Sequence, residues 1–238
     1  MDITVFEKGL VNWKIELSSK QMEQFLLYYE KMVEKNKVMN LTAITGFEEV
    51  VYKHFLDSLS IIQASIFLGK GNLIDVGTGA GFPGIPLKIV FPDLEVVLLD
   101  SLNKRIGFLN EVISGLGLKG ISAVHSRAED AGRKPEYREK FDFCVSRAVA
   151  HLSILAEYGL PFVKQGGYFI PYKSGNIEEE IKESEYAIKT LSGKIEEKIS
   201  FSIPNTDIER TLVLVKKAAP IQKKYPRKAG TPQKEPLI

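Results

Sequence analysis

The sequence is poor in sulfur and imidazole. Its 238 residues include one cysteine, Cys144, and three scattered histidines, His54, His125 and His151. One thiol excludes an intramolecular disulfide and a cysteine-based metal cluster. Three dispersed imidazoles make no metal-ligand pattern, so no metal is expected. No apolar run approaches ~18 residues, which excludes a membrane-spanning helix. The first residues lack a basic-then-apolar leader, because Glu7, Lys8, Asn12 and Trp13 interrupt them. A cytoplasmic protein is the expectation. No internal repeat is present. The hydrophobic fraction, 44%, and the charged fraction, 26%, are those of an ordinary globular chain. Such a length suits one large domain, or a main domain with an added lobe.

Net charge is only +2, but it is unevenly placed. From Lys216 onward seven lysines and arginines face the single acid Glu235, which gives +6 and leaves −4 for the rest. A basic end on a mildly acidic body points to a polyanionic partner, with a solubilising, disordered end as the alternative.

Against these absences stands one stretch, Asn72 to Phe82. A short apolar run, Leu73 to Val76, stops at three glycines spaced two apart, Gly77, Gly79 and Gly81. This reads as a buried strand entering a tight turn. Pro83 follows where a helix can begin. Strand, glycine turn and helix start open a nucleotide-type pocket at the carboxyl end of a parallel sheet. The third glycine falls one place too early for a dinucleotide fingerprint, and Phe82 takes the place of its last glycine. A ligand without a pyrophosphate needs only close backbone approach and a carboxylate for an amine, and Asp75 lies at the strand end. A glycine turn with no ligand is the other reading.

Upstream, Ser18 and Gln21 form a capping-box signature. Phe25, Tyr28, Tyr29, Met32 and Val33 follow at helical spacing. Asn40 to Ala43 reads as a loop. A second helix is expected from Phe47 through Phe55 toward Phe67, with a break. His54 and Asp57 lie three apart on one face of it. They either shape the pocket mouth or make a surface hydrogen bond.

Downstream, strands are expected at Glu95–Leu99, Ile121–His125, Phe141–Val145 and Gly167–Tyr172. Helices are expected after Pro83, over Leu102–Leu116, over His151–Leu160 and from Ile177 to Leu191. Lys194–Ile203 and Arg210–Lys216 read as an antiparallel pair about the Pro204-Asn205 turn. The expected fold is α/β, a doubly wound Rossmann-like sheet with an antiparallel C-terminal strand pair and an N-terminal helical extension. The expected divisions are residues 1–70, helical; 71–217, the sheet domain; and 218–238, a basic tail.

Strand ends select the candidate site residues. Asp100 ends the second strand 23 positions after Gly77, where a carboxylate accepts ribose hydroxyls; capping the next helix is its other role. Ala128 and Glu129 follow the third strand, where an adenine edge would lie. Arg147 follows the fourth and can pair bidentately with a carboxylate or phosphate. Cys144 sits between Phe143 and Val145 and reads as a small core residue, not a thiolate nucleophile. No Asn-Pro-Pro-aromatic box of amine methylases occurs.

Together these stretches resemble a known family. Asp75-Val-Gly-Thr-Gly-Ala-Gly-Phe-Pro83 looks like the cofactor loop of S-adenosylmethionine-dependent methyltransferases. Asn40 to Ile44, Lys53 to Ser58, Asp100 to Arg105, Arg127 to Glu129, Ser146 to Ala150 and Lys224 to Pro232 narrow this to the bacterial RsmG (GidB) family. The resemblance spans nearly the whole chain. It implies N7 methylation of a guanine in a decoding-region loop of 16S ribosomal RNA. It implies that S-adenosylmethionine is held by Gly77, Gly79, Phe82, Asp100, Ala128 and Glu129. Arg147 would stand between cofactor and substrate as cofactor-binding and catalytic residue. RNA would meet Lys53, His54, Arg105, Lys223, Lys224, Arg227 and Lys228, and a monomer is expected to suffice. Two other readings stay open, a nicotinamide-dependent oxidoreductase and a non-catalytic ribosomal RNA-binding assembly factor.

Overall fold

The computed structural model describes residues 2–147 and 150–238. Ala148 and Val149, within the Ser146–Ala150 stretch that carried part of the resemblance, lie outside the described residues.

Helix α1 (Thr4–Asn12) is absent from the sequence reading, which begins its first helix at Ser18. It has no side-chain cap, and Gly9 weakens its propensity. Packing explains that glycine: a Cβ there would lie 2.3 Å from Leu56 Cδ1. Helix α2 (Ser19–Met39) starts at Ser18 with both halves of the capping box made. Gln21 also donates to the carbonyl of Ile89 (2.8 Å), tying the helix start to the sheet domain. Its buried stripe is Phe25, Tyr28 and Met32.

The next helical segment runs from residue 47 to 63, shorter than expected. It joins α3 (Phe47–Val50), a π-turn (Val51–Leu56), α4 (Asp57–Leu59) and a 3-10 turn (Ser60–Gln63). The anticipated break is thus a change of helical winding, a device that re-aims side chains without ending the helix.

Then β1 (Gly71–Val76), α5 (Gly84–Val90), β2 (Leu94–Asp100), α6 (Asn103–Gly115), β3 (Ile121–His125), α7 (Ala128–Ala131) and β4 (Phe141–Arg147) alternate. They are followed by α8 (Leu152–Gly159), β5 (Val163–Ser174), α9 (Glu178–Thr190), β6 (Gly193–Ser202) and β7 (Glu209–Lys217). The strand order is β3-β2-β1-β4-β5-β7-β6. Strands β1 to β5 pair in parallel, and β7 lies antiparallel between β5 and β6. The doubly wound sheet with an antiparallel C-terminal pair is therefore the observed fold. Strand order reverses at β1, between β2 and β4, and such switch points leave a crevice beyond the strands' carboxyl ends.

Each face of the sheet has its own core. One buries Phe25, Tyr28, Phe55, Leu98 and Phe108 under the N-terminal helices. The other buries Leu152, Phe162, Phe169, Ile188 and Val215, together with Ile221 and Tyr225. The basic end is therefore packed on the body, against the disordered alternative. Arg138 donates to the carbonyls of Ile221, Gln222 and Tyr225, and α10 (Thr231–Lys234) follows.

Candidate active site

The glycine turn leaves β1 at φ values of +73°, +62° and +106° for Gly77, Gly79 and Gly81, a region side chains avoid. The reasons at the last two differ. A Cβ on Gly81 would lie 2.4 Å from Ile85 Cδ1 and 2.8 Å from Tyr28 Oη, so this glycine serves packing. A Cβ on Gly79 would meet nothing within 4 Å among the described residues, so this one leaves open space above the turn.

Asp75 is wholly buried and has no access to a ligand amine. Its Oδ2 accepts from Thr78 Oγ1 (2.7 Å) and from the Gly84 N–H (2.8 Å), locking both ends of the turn. Its Oδ1 is buried with no hydrogen-bond partner among the described residues. Burial raises its pKa from 3.8 to about 6, against the lowering pull of those two hydrogen bonds.

Asp100 closes the other side of the turn. Oδ1 accepts from the Leu102 N–H (2.9 Å), and Oδ2 from the Gly79 N–H (3.0 Å) and from Arg105 (3.1 Å). A carboxylate has about four acceptor positions, so one is left for a ligand hydroxyl.

Above these groups is a cleft of about 260 Å³, just under the range common for small-molecule sites. Gly77, Asp100, Ala128 and Glu129 line it, as expected of them, with Leu99, Ser101, Ser126, Arg127, Tyr158, Gly230 and Gln233. The last two come from the basic end. Nothing in their spacing marks them, because only tertiary packing returns residue 230 to residue 129. The carboxylate of Glu129 accepts from the Gly230 N–H (2.8 Å).

Gly79, Phe82 and Arg147, expected at the same site, do not line this cleft. Phe82 is a core ring, 5% exposed, within 5.2 Å of the Tyr28 ring and 6.2 Å of the Phe55 ring. Rings of the N-terminal helices cover it, which the strand-end rule did not anticipate. His54 stacks on it at 4.5 Å, and the Arg147 guanidinium lies 5.1 Å from its centroid.

Arg147 faces a second cavity, of about 260 Å³, with Ile44, Lys53, His54, Asp57, Tyr172, Lys173 and Arg210. Asp57 is its hub. Only 2% exposed, it accepts from Arg147 Nη1 (2.8 Å) and from Arg210 Nε (2.9 Å). Arg147 also donates to the Lys53 carbonyl (3.1 Å) and approaches His54 Nδ1 (3.3 Å). His54 and Asp57 do share a face, and it is turned inward. Arg210 was invisible as a site residue, being one cation in a strand.

His54 is driven to a pKa of about 3, first by burial and then by the Arg147 cation. It is therefore neutral in the folded chain. Between its ordinary pKa of 6.5 and about 3 the unfolded chain binds a proton that the folded chain refuses, so stability falls with falling pH. Asp75 acts oppositely: its raised pKa favours the fold below 3.8, and that contribution is lost as pH rises through about 6. His54→Gln should therefore flatten the acid loss of stability, measured as denaturant midpoints between pH 6.5 and 4. An unaltered profile would assign the acid loss to other groups.

The cations expected to meet RNA divide into two sets. Lys223, Lys224 and Lys228 are exposed. Lys53 pairs with Glu49 (2.7 Å), and Arg105 is engaged by Asp100. Arg227 is held by buried Glu157, its Nη2 2.7 Å from Oε2.

The fold and its cleft are those of S-adenosylmethionine-dependent methyltransferases. Among solved structures, geranyl diphosphate C-methyltransferase of Streptomyces coelicolor A3(2) aligns at TM-score 0.53 and 11% identity, over 68% of this chain and 78% of its own. A mutant of MtNAS in complex with S-adenosylmethionine aligns at 0.56 and 16%, over 84% and 72%. The family model of GidB, rRNA small subunit methyltransferase G, matches residues 21–211. The ribosomal RNA small subunit methyltransferase G of Lachnoclostridium phytofermentans is 58% identical over 237 residues, covering 100% of this chain and 98% of that relative. The protein of the same name in Lactobacillus johnsonii is 47% identical over 100% of both chains. The chain belongs to the GidB family.

Proposed function

We propose that this protein transfers the methyl group of S-adenosylmethionine to N7 of a guanine in the 16S ribosomal RNA of the small subunit. The observation that carries the reading is the meeting of Gly77 with Asp100 at one cleft, the Asp100 carboxylate also holding the Gly79 N–H, in a chain of this family. The residues fit the group. Asp100 keeps an acceptor position for a ribose hydroxyl, Gly77 and Gly79 permit close backbone approach, and Asp75 Oδ1, unpartnered among the described residues, leaves negative potential beneath the turn.

Bound there, the cofactor supplies an electrophilic methyl on a sulfonium. Guanine N7 offers a lone pair and carries no proton, so its attack calls for no general base. Orientation and approach distance then supply the acceleration. Arg147 uses some of its five donor hydrogens on Asp57, the Lys53 carbonyl and His54. Those left over can orient a guanine carbonyl or a phosphate at the second cavity. Neutral His54 adds no positive charge where the methylated purine becomes cationic.

The division into a helical extension (1–70), a methyltransferase domain (71–217) and a basic tail (218–238) belongs to this proposal, as do a cytoplasmic location and a monomeric state. Lys223, Lys224 and Lys228 are taken to meet phosphates. Their joint replacement by glutamine should reduce the slope of log affinity against log salt by about 2, at ~0.7–0.9 per lost contact. An unaltered slope would assign them to solubility alone.

The test of function is mass spectrometry of 16S rRNA from a strain lacking this gene. One guanine should lose a methyl that the unaltered gene restores and Gly77→Asp does not. Intact methylation without the gene would refute the proposal. Restoration by Gly77→Asp would favour a non-catalytic assembly role.

A further inference from the structure

The C-terminal segment is held against the cleft by more contacts than a phosphate-binding tail requires. Glu157, 1% exposed, accepts four hydrogen bonds from Arg227, one from its backbone N–H (2.7 Å) and three from its guanidinium (2.7 to 3.1 Å). This is a bidentate, mostly buried pair, a geometry that fixes position as well as charge. Glu157 immediately precedes Tyr158, a residue of the cleft wall. Three residues past Arg227, Gly230 turns at φ +84° and gives its N–H to Glu129. Pro232 is buried, and the exposed side chain of Gln233 borders the cleft.

From this geometry we infer that residues 227–233 are a wall of the cofactor site. Arg227 is the positioning residue that docks the wall, and Gln233 is the side chain that meets the ligand. This rests on the cofactor reading above and extends it. Glu129 gives one carboxylate oxygen, Oε1, to holding Gly230 and keeps Oε2 on the cleft it lines. The amide of Gln233, with donor and acceptor together, is then the polar group that the segment brings to a nucleoside.

Docking and ligand binding must in consequence favour each other. If the ligand contacts only the docked segment, each stabilises the other by the same free energy. The exposed Lys223, Lys224 and Lys228 should therefore be cut more slowly by trypsin when the cleft is filled.

The experiment uses the full chain and S-adenosylmethionine, with affinity read by calorimetry, stability by thermal melting without ligand, and tail cleavage by trypsin. Gln233→Ala is expected to weaken binding about tenfold and leave the ligand-free melting temperature unchanged. Arg227→Ala is expected to weaken it at least as much and to abolish protection of the tail, with Arg227→Lys intermediate. A merely structural tail would lower melting temperature in Arg227→Ala and leave the Gln233→Ala affinity untouched. Wild-type affinity in Gln233→Ala, or tryptic cleavage indifferent to ligand, would overturn the inference while the cofactor reading stands. An unaltered chain that fails to bind S-adenosylmethionine would bring down both.

Discussion

Asp100→Ala should raise the dissociation constant for S-adenosylmethionine at least a hundredfold. The carboxylate has two roles at once. On the proposed reading it offers an acceptor to the ligand, and it holds the Gly79 N–H (3.0 Å) and the Leu102 N–H (2.9 Å) that shape the turn. Hydrogen bonds to a charged group contribute about 1.5–3 kcal/mol each. Losing one to the ligand and loosening the turn therefore reaches about 3 kcal/mol, which is two decades of affinity. The free chain should melt only slightly lower, because Arg105 and the two amides can turn to water at this half-open site. Asp100→Asn, which keeps shape and loses charge, should fall between. Calorimetric titration decides: a constant within threefold of the unaltered protein would remove Asp100 from the cofactor site.

The second large effect is on stability. Asp57 is the shared partner of Arg147 and Arg210, and its side chain is 3% exposed against 12% and 20% for theirs. Removing one member of a buried ionic group strands the remaining charge, at a cost of about 3–5 kcal/mol. Asp57→Ala here leaves two guanidiniums facing each other without the anion between them. The expected loss is at the upper end of that range. At ~2–4 °C per kcal/mol for a chain of this size, the melting temperature should drop by roughly 10 °C or more. Combining Asp57→Ala with Arg210→Met should recover part of the loss, because it removes one of the stranded cations. A single-variant loss below about 1 kcal/mol would mean that water or a rotamer change relieves the site, and the hub would then be weaker than its geometry implies.

The two variants also separate the two cavities. Asp100→Ala should weaken cofactor binding in a chain that remains folded. Asp57→Ala should weaken folding and, where the chain survives, misplace Arg147 beside the second cavity. A protein whose cofactor affinity fell equally in both would have one continuous site, with Phe82 as a movable partition.

What could be read from the chain alone was local. The capping box at Ser18, the β1–turn–α5 passage and the strand-and-helix alternation are each written in a few consecutive residues. Secondary structure follows periodicity, and periodicity is visible in sequence. That Gly77, Asp100, Ala128 and Glu129 meet at one cleft was legible for the same reason. In a doubly wound sheet every residue just past a parallel strand reaches one edge, so counting strands locates them.

Tertiary structure decided the rest. The rule that finds strand ends is blind to which side of the turn a side chain takes, so Phe82 went into the core under Tyr28 and Phe55. Asp57 and Arg210 are 153 positions apart, and no pattern links an acid in a helical turn to a cation in an edge-side strand. Arg227 reads as one more charge in a basic run until Glu157, buried on α8, is seen to hold it. These pairings depend on how the two faces of the sheet are covered, which is a property of the packed whole. The sequence therefore determined the fold and one wall of the cleft. Only packing decided that the chain's own end supplies another, because a buried carboxylate takes whichever cation the fold brings within reach.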